Sequence, residues 1–122
     1  MVLEEDVGAV FDGSCSSPYM SMSCEVRAEV QASGALQAAT HYDGSARPQT
    51  VAAHQEPYIH TMLTALKRAT GYGVVINTSF NTKGKPIVNR ATEVLDMLRD
   101  DSELDAVVID EWLFTKQSVL AA

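Results

Sequence analysis

No apolar run in this chain approaches the ~18 to 20 residues needed to span a bilayer. Its first residues, Met-Val-Leu-Glu-Glu-Asp, lack the basic-then-apolar order of a secretion signal. A cytoplasmic location is therefore expected, with no membrane partner. Basic residues are scarce: nine Lys and Arg face sixteen Asp and Glu, for a net charge of −7. Nonspecific nucleic-acid binding needs many cations set against phosphates, so nucleic acid is excluded as a partner. There are only two cysteines, Cys15 and Cys24, and they form no Cys-x-x-Cys pair. That spacing fits neither the zinc nor the redox patterns. They read as ordinary thiols in a reducing compartment. His41, His54 and His60 have no ligand spacing with a cysteine or carboxylate, so no protein-held metal is expected. Internal repeats and low-complexity tracts are also missing.

What is present suits one small domain, or part of one. A chain of 122 residues buries roughly 65% of its unfolded surface, enough for one core. Leu3 to Phe11 predicts a short amphipathic helix with Val7, Val10 and Phe11 on one side, broken by Asp12-Gly13-Ser14. Pro18 to Val26 alternates large and small residues and predicts a strand. Glu29 to Gly34 is polar and small, and reads as a loop. Leu36 to Val51 reads as extended, interrupted by Asp43-Gly44-Ser45, a strong hairpin-turn signal.

The clearest helix covers Pro57 to Thr70. Pro57 suits the first turn and Gly71 the C′ position; Ile59, Met62, Leu63, Leu66 and Ala69 share a face. Val74 to Ile76 predicts a buried strand. Asn89 is a candidate cap for a helix that turns Val94, Leu95 and Leu98 inward. Asp100 to Glu103 reads as its solvated end. Leu104 to Ile109 predicts a strand, Trp112 to Phe114 a short extended piece, and Gln117 to Ala122 a tail. Trp112 is expected in a core or an interface. Helices alternate with strands in the second half, so the class is α/β or α+β.

Two segments carry chemistry. Asn77, Thr78, Ser79 and Asn81 follow a predicted strand end, where open α/β sheets place ligands. Their hydroxyls, amides and backbone N–H groups suit phosphate oxygens. Lys83 and Lys85 add two positive charges on an acidic chain, which points to a small anion. The other segment runs from His41 to Thr50. It holds an imidazole, a carboxylate, a guanidinium and an amide within ten residues. The reversal at Asp43-Gly44 lets His41 and Arg47 project to one side. Arg47 suits bidentate bonds to a phosphate or carboxylate. Lys67 and Arg68 complement a helix dipole instead.

Together these segments resemble the carboxy-terminal domain of the NodU/CmcH family of O-carbamoyltransferases. That family carries His-x-Asp-Gly-Ser/Thr-Ala-Arg-x-Gln-Thr-Val, which stands here as His41-Tyr-Asp-Gly-Ser-Ala-Arg-Pro-Gln-Thr-Val51. About twenty-five residues later it carries Asn-Thr-Ser-Phe-Asn-x-basic-Gly-Glu-Pro-Ile-Val. Here that reads Asn77-Thr-Ser-Phe-Asn-Thr-Lys-Gly-Lys-Pro-Ile-Val88. Val2 to Asp6, Ser17 to Met20, Leu104 to Ile109 and Leu113 to Lys116 match the flanks, so the resemblance spans Val2 to Lys116.

The resemblance implies a YrdC-like twisted mixed sheet flanked by helices, over residues 1–116. It implies binding of carbamoyl phosphate and ATP, with Mg²⁺ accompanying the nucleotide, and formation of a carbamoyl adenylate. A separate amino-terminal, actin-like domain then passes the carbamoyl group to an acceptor hydroxyl. Ser79 and Asn81 match the family's Ser-x-Asn element for phosphate or nucleotide. Arg47 would neutralise a phosphoryl group. His41 either donates to an oxyanion or orients a neighbour. Asp43, beside Gly44, either meets Mg²⁺ or shapes the turn.

The chain departs from the pattern in two ways. Lys85 stands where the family has a glutamate. The family's basic stretch before the Val-Leu-x-Glu-Asp segment has no counterpart. The expectation is thus a partial domain whose sheet is incomplete and open to association. The alternatives are a non-catalytic anion-binding remnant, or a subunit that completes a partner chain carrying the acceptor domain.

Overall fold

Pro57–Thr70 forms the longest element of the computed structural model, which describes residues 1–101 and 103–116. Pro57 sits at its first turn, where a missing N–H costs nothing. At the other end Gly71 N–H closes onto the Lys67 carbonyl at 2.8 Å. Only Leu63 of the expected apolar face is fully buried, against Leu3 and Val51; Met62 and Ala69 stay exposed.

The chain divides into two compact units, Met1–Asn77 and one that begins at Thr78. In the first, β1 (Val2–Leu3) leads into a 3-10 turn (Glu4–Asp6) and α1 (Val7–Val10). After β2 (Cys24–Glu25) and α2 (Ala28–Ser33), a second 3-10 turn (Gln37–Ala39) leads to β3 (Ser45–Ala46) and β4 (Thr50–Val51). The long helix is α3. β1 lies parallel to β4, with Val2 opposite Thr50 and Leu3 opposite Val51. β2 lies antiparallel to β3, with Cys24 opposite Ala46. The core gathers Val2, Val7, Val10, Phe11, Cys15, Val26, Val30 and Ala46, and a second cluster holds Leu3, Val51 and Leu63. Gly73 is required by this packing. A Cβ there would lie 2.8 Å from Leu3 Cδ1 and 3.1 Å from the Leu63 carbonyl oxygen.

In the second unit, α4 (Ala91–Asp100) buries Val94 and Leu98 against Val107 of a hairpin. The hairpin pairs β5 (Ala106–Ile109) with β6 (Trp112–Thr115). Asp110, at φ 53, supplies the left-handed residue of its tight turn. The fold is α+β, its described strands forming three two-stranded sheets.

Several expectations are corrected. The helix foreseen over Leu3 to Phe11 is shortened because Val2 and Leu3 are drawn into pairing with Thr50 and Val51. Glu29 to Gly34 is not a loop but most of α2, ended by Gly34 at φ 70; one buried residue, Val30, anchors it. Of Pro18 to Val26 only Cys24–Glu25 is strand, and Leu36 to Val51 is extended only in part. Val74 to Ile76 is no buried strand: Val74 makes one bridge, to Val2, and Ile76 is exposed. Arg90, not Asn89, precedes α4 as its cap residue; Asn89 N–H instead donates to Glu93 Oε2 at 3.3 Å. Trp112 is 72% exposed, so it is no core residue.

Cys15 and Cys24 are not free thiols; they form a disulfide, with Cα atoms 6.4 Å apart. Such bonds persist mainly in oxidising compartments, so the pair lends no support to a reducing one. The predicted tail, 117–122, and Ser102 lie outside the described residues.

Candidate functional site

Between His41 and Ser45 the chain reverses in a small hydrogen-bonded knot. Gly44 N–H donates to the His41 carbonyl at 3.0 Å, and His41 N–H to the Ser45 carbonyl at 2.7 Å. Gly44 takes φ 83, a conformation that glycine reaches without penalty. Asp43 Oδ1 accepts both the Ser45 hydroxyl (2.7 Å) and the Ser45 backbone N–H (3.0 Å). These bonds, the hydroxyl first, hold the Asp43 carboxyl below the ordinary carboxylate range. Since the hydroxyl proton points at Asp43, Ser45 Oγ can only accept from His41 Nδ1, 3.0 Å away. The contact therefore assigns the proton to Nδ1 and leaves Nε2 as the ring nitrogen not engaged by Ser45.

β3 carries the chain from this knot past Cys24 to Arg47. His41, Arg47 and Asn77, which the sequence places in separate motifs, line one cavity of about 210 Å³ in the first unit. Its apolar walls include Val2, Phe11, Met20, Ala46 and Pro48, and among the described residues no carboxylate lines it. Arg47 is exposed and has no ion-pair partner among the described residues. An acidic protein has thus kept carboxylates away from a cavity that holds a guanidinium and an imidazole, which favours an anion.

Two residues that the motifs did not single out contact Asn77. Asn77 Nδ2 donates to Gln49 Oε1 at 3.0 Å and contacts Met20 Sδ at 3.3 Å. Gln49 sits inside the first motif, so its position was the available signal. Nothing in the spacing pointed to Met20.

The rest of the second motif, Thr78 to Val88, belongs to the second unit. Ser79 Oγ donates to Asn81 Oδ1 at 2.7 Å, and Asn81 Nδ2 donates to the carbonyls of Thr82 and Lys85. Lys85 N–H closes a turn onto the Thr82 carbonyl at 2.9 Å. Every hydrogen-bonding atom of the Asn81 amide is therefore engaged within its own loop. A ligand held by Asn81 must exchange one of these bonds. Thr78 Oγ lies 3.4 Å from the Ser79 carbonyl. Lys83 and Lys85 are exposed and offer their ammonium groups at the surface. A wider hollow of about 910 Å³ in this unit is lined by Lys85 and Arg90 but also by Glu93, Asp96, Asp100 and Asp101. Its excess of carboxylates makes it a poor anion site.

No group of three His, Cys, Asp or Glu able to hold a metal occurs among the described residues. Asp43 Oδ1 is already engaged by Ser45. A Mg²⁺ ion would fit here only as a companion of nucleotide phosphates, the usual arrangement for that ion. No described helix is long and apolar enough to cross a membrane.

Comparison with known proteins agrees with the motifs. The family described as "Carbamoyltransferase C-terminus" matches residues 1–116. The chain is 40% identical over 108 residues to a 3'-hydroxymethylcephem-O-carbamoyltransferase of Amycolatopsis lactamdurans, covering 88% of this chain and 20% of that protein. It is 34% identical over 119 residues to nodulation protein NolO of Bradyrhizobium diazoefficiens, covering 94% of this chain and 21% of that one. The chain thus spans about one fifth of these relatives. With both motifs present, the second departing at Lys85, and nearly the whole chain aligned, it belongs to the carbamoyltransferase C-terminus family.

Proposed function

We propose that the chain serves an O-carbamoyltransferase as the domain that binds carbamoyl phosphate and ATP and joins the carbamoyl group to AMP. Water first cleaves carbamoyl phosphate to carbamate and phosphate; a carbamate oxygen then attacks the α-phosphorus of ATP and displaces pyrophosphate, and the carbamoyl group goes on to a hydroxyl of a small molecule as AMP leaves. The observation that carries the reading is the convergence of His41, Arg47 and Asn77 on one carboxylate-free cavity. At about 210 Å³ it is smaller than the ~300 Å³ at which clefts for drug-sized ligands begin. It suits carbamoyl phosphate better than a nucleotide. Arg47 takes phosphoryl oxygens in a bidentate pair. His41, held through Nδ1 by Ser45, lines the same cavity. Negative charge that builds on phosphate oxygens during transfer is stabilised by donors already in place.

We assign the nucleotide to the Ser79–Lys85 loop, where Lys83 and Lys85 would meet its phosphates, which would carry Mg²⁺ with them. An amino-terminal acceptor domain, in the same polypeptide or in trans, completes the reaction. The proposal places the chain in the cytoplasm, where ATP is abundant.

Calorimetric titration of the chain with carbamoyl phosphate tests the reading. A cavity whose one charged donor is the Arg47 guanidinium predicts a Kd on the order of 0.1 to 1 mM. Arg47→Ala weakens binding by about tenfold, the loss of one charge-assisted hydrogen bond or more. Arg68→Ala, in the exposed last turn of α3, leaves it unchanged. Equal effects from the two variants, or no saturable binding at millimolar ligand, would overturn the proposal.

A further inference from the structure

The cavity's third polar side chain is held in one orientation. Asn77 Nδ2 is engaged by Gln49 Oε1 and Met20 Sδ, whereas Asn77 Oδ1 accepts no hydrogen bond from any described residue. The two ends of an amide point to opposite sides, so fixing the nitrogen fixes the oxygen. Both clamping residues are themselves restrained. The Gln49 carbonyl accepts from Val2 N–H at 2.9 Å, and the next residue, Thr50, is buried and joined to Ser17. Met20 takes φ 56 within the loop closed by the Cys15–Cys24 bond. Positive φ is uncommon outside glycine, so the loop has a specific shape to keep.

We propose that Gln49 is a positioning residue that, with Met20, turns Asn77 Oδ1 toward the cavity as a hydrogen-bond acceptor beside Arg47 and His41. This pairing of an acceptor with the Arg47 guanidinium selects a small anion that also carries an N–H donor over one with a methyl group in that place. The inference rests on the cavity being the anion site proposed above and adds how that site tells its ligand from an isostere. A half-buried acceptor that faces a methyl group loses the hydrogen bond that the N–H donor would have made.

Calorimetric titrations of the chain with carbamoyl phosphate, acetyl phosphate and inorganic phosphate test it. Acetyl phosphate has CH₃ where carbamoyl phosphate has NH₂. Carbamoyl phosphate is expected to bind about tenfold more tightly, the effect of one net hydrogen bond. Gln49→Leu should bring that ratio to about one, while inorganic phosphate, held by Arg47, changes less than about twofold, since no hydrogen bond to it is lost. Gln49→Glu, whose carboxylate still accepts from Nδ2, should weaken both acyl phosphates alike and keep the ratio. Equal binding of the two acyl phosphates by the unaltered chain overturns the inference, as does a ratio that survives Gln49→Leu. If Gln49→Leu fails to fold, the unaltered chain and Gln49→Glu still decide. Phosphate binding without discrimination removes this inference alone; no binding of any probe removes the cavity reading as well.

Discussion

The two compact units use polar side chains in opposite ways. In the first, hydrogen bonds turn groups toward an opening: Asp43 holds Ser45, Ser45 holds His41, and Gln49 holds Asn77. In the second, they turn inward on their own loop: Ser79 on Asn81, and Asn81 on Thr82 and Lys85. The apolar content differs in the same direction. The first unit has two buried clusters and a disulfide; the second has Val94, Leu98 and Val107, with Val108 and Leu113 exposed across from each other on its hairpin. A preorganised site needs a rigid frame behind it, because each oriented side chain carries an ordering cost. The larger core stands behind the cavity whose polar groups are already oriented. The smaller one stands behind a loop whose polar groups must first be exchanged.

The sharpest way to break this comparison is to cut equal amounts from each core. Leu63 and Leu98 are both 0% exposed, and each change to alanine should cost about 2 to 5 kcal/mol. The consequences should differ. Leu98→Ala removes the largest of three buried side chains, so amide-exchange protection in α4 is expected to vanish. Leu63→Ala should leave α3 protected at reduced stability. Retained protection of α4 in Leu98→Ala would mean that the smaller core is better supported than its three buried residues suggest.

The disulfide offers the next test. Closing a loop of about ten residues is worth roughly 2 to 3 kcal/mol in the chain-entropy account. Reduction, or Cys15→Ser with Cys24→Ser, should lower the unfolding midpoint of the first unit in denaturant. Amides near the bond, such as Asp12 N–H to the Glu25 carbonyl, should exchange faster. An unchanged midpoint on reduction would show that the frame behind the cavity is held by apolar packing alone.

A smaller change probes close approach. Gly73→Ala places a methyl group against Leu3 Cδ1 and the Leu63 carbonyl. Overpacking of this kind typically costs about 1 to 3 kcal/mol. Gly8→Ala, where no atom lies within 4 Å of the added carbon, is the control and should be neutral or stabilising in α1. A neutral Gly73→Ala would mean that β1 can shift away from α3.

What the sequence disclosed follows from which signals are local. The α3 bounds were legible because Pro57 and Gly71 act through their own backbones. The Asp43-Gly44 turn was legible for the same reason, and the two motifs carried the family. α2 was not legible, since a helix with one buried residue shows no apolar periodicity. The pairing of Cys15 with Cys24 depends on how the chain turns at Ser17 to Met20, which spacing does not determine. Val74 to Ile76 has the composition of a strand but gains only one bridge, at Val2. Within the site, residue types revealed His41, Arg47 and Asn77 as candidates. Their convergence, and the clamping of Asn77 by Gln49, depend on contacts between distant residues.

The smallest expected effect concerns pH and the first unit's turn. Asp43 accepts two bonds from Ser45, and its carboxyl is held below its ordinary value mainly by the hydroxyl. A carboxylate depressed by folding stabilises the native state above its unfolded pKa, about 3.9. That contribution is lost as pH falls from there through the lower folded value. Because Asp43 is exposed, solvent screening keeps the effect on global stability slight, but the local effect should be visible. Once Asp43 is protonated, the Ser45 hydroxyl no longer has a carboxylate to donate to. His41 Nδ1 then loses the acceptor geometry that fixes its orientation. NMR titration should show the Ser45 amide and the His41 ring shifting together below about pH 4, with α4 amides as the reference. In Asp43→Asn the amide oxygen can still accept but carries no titrating charge, so the joint shift should disappear. A His41 ring that ignores both the titration and the substitution would mean that something other than the Asp43–Ser45 pair sets its orientation.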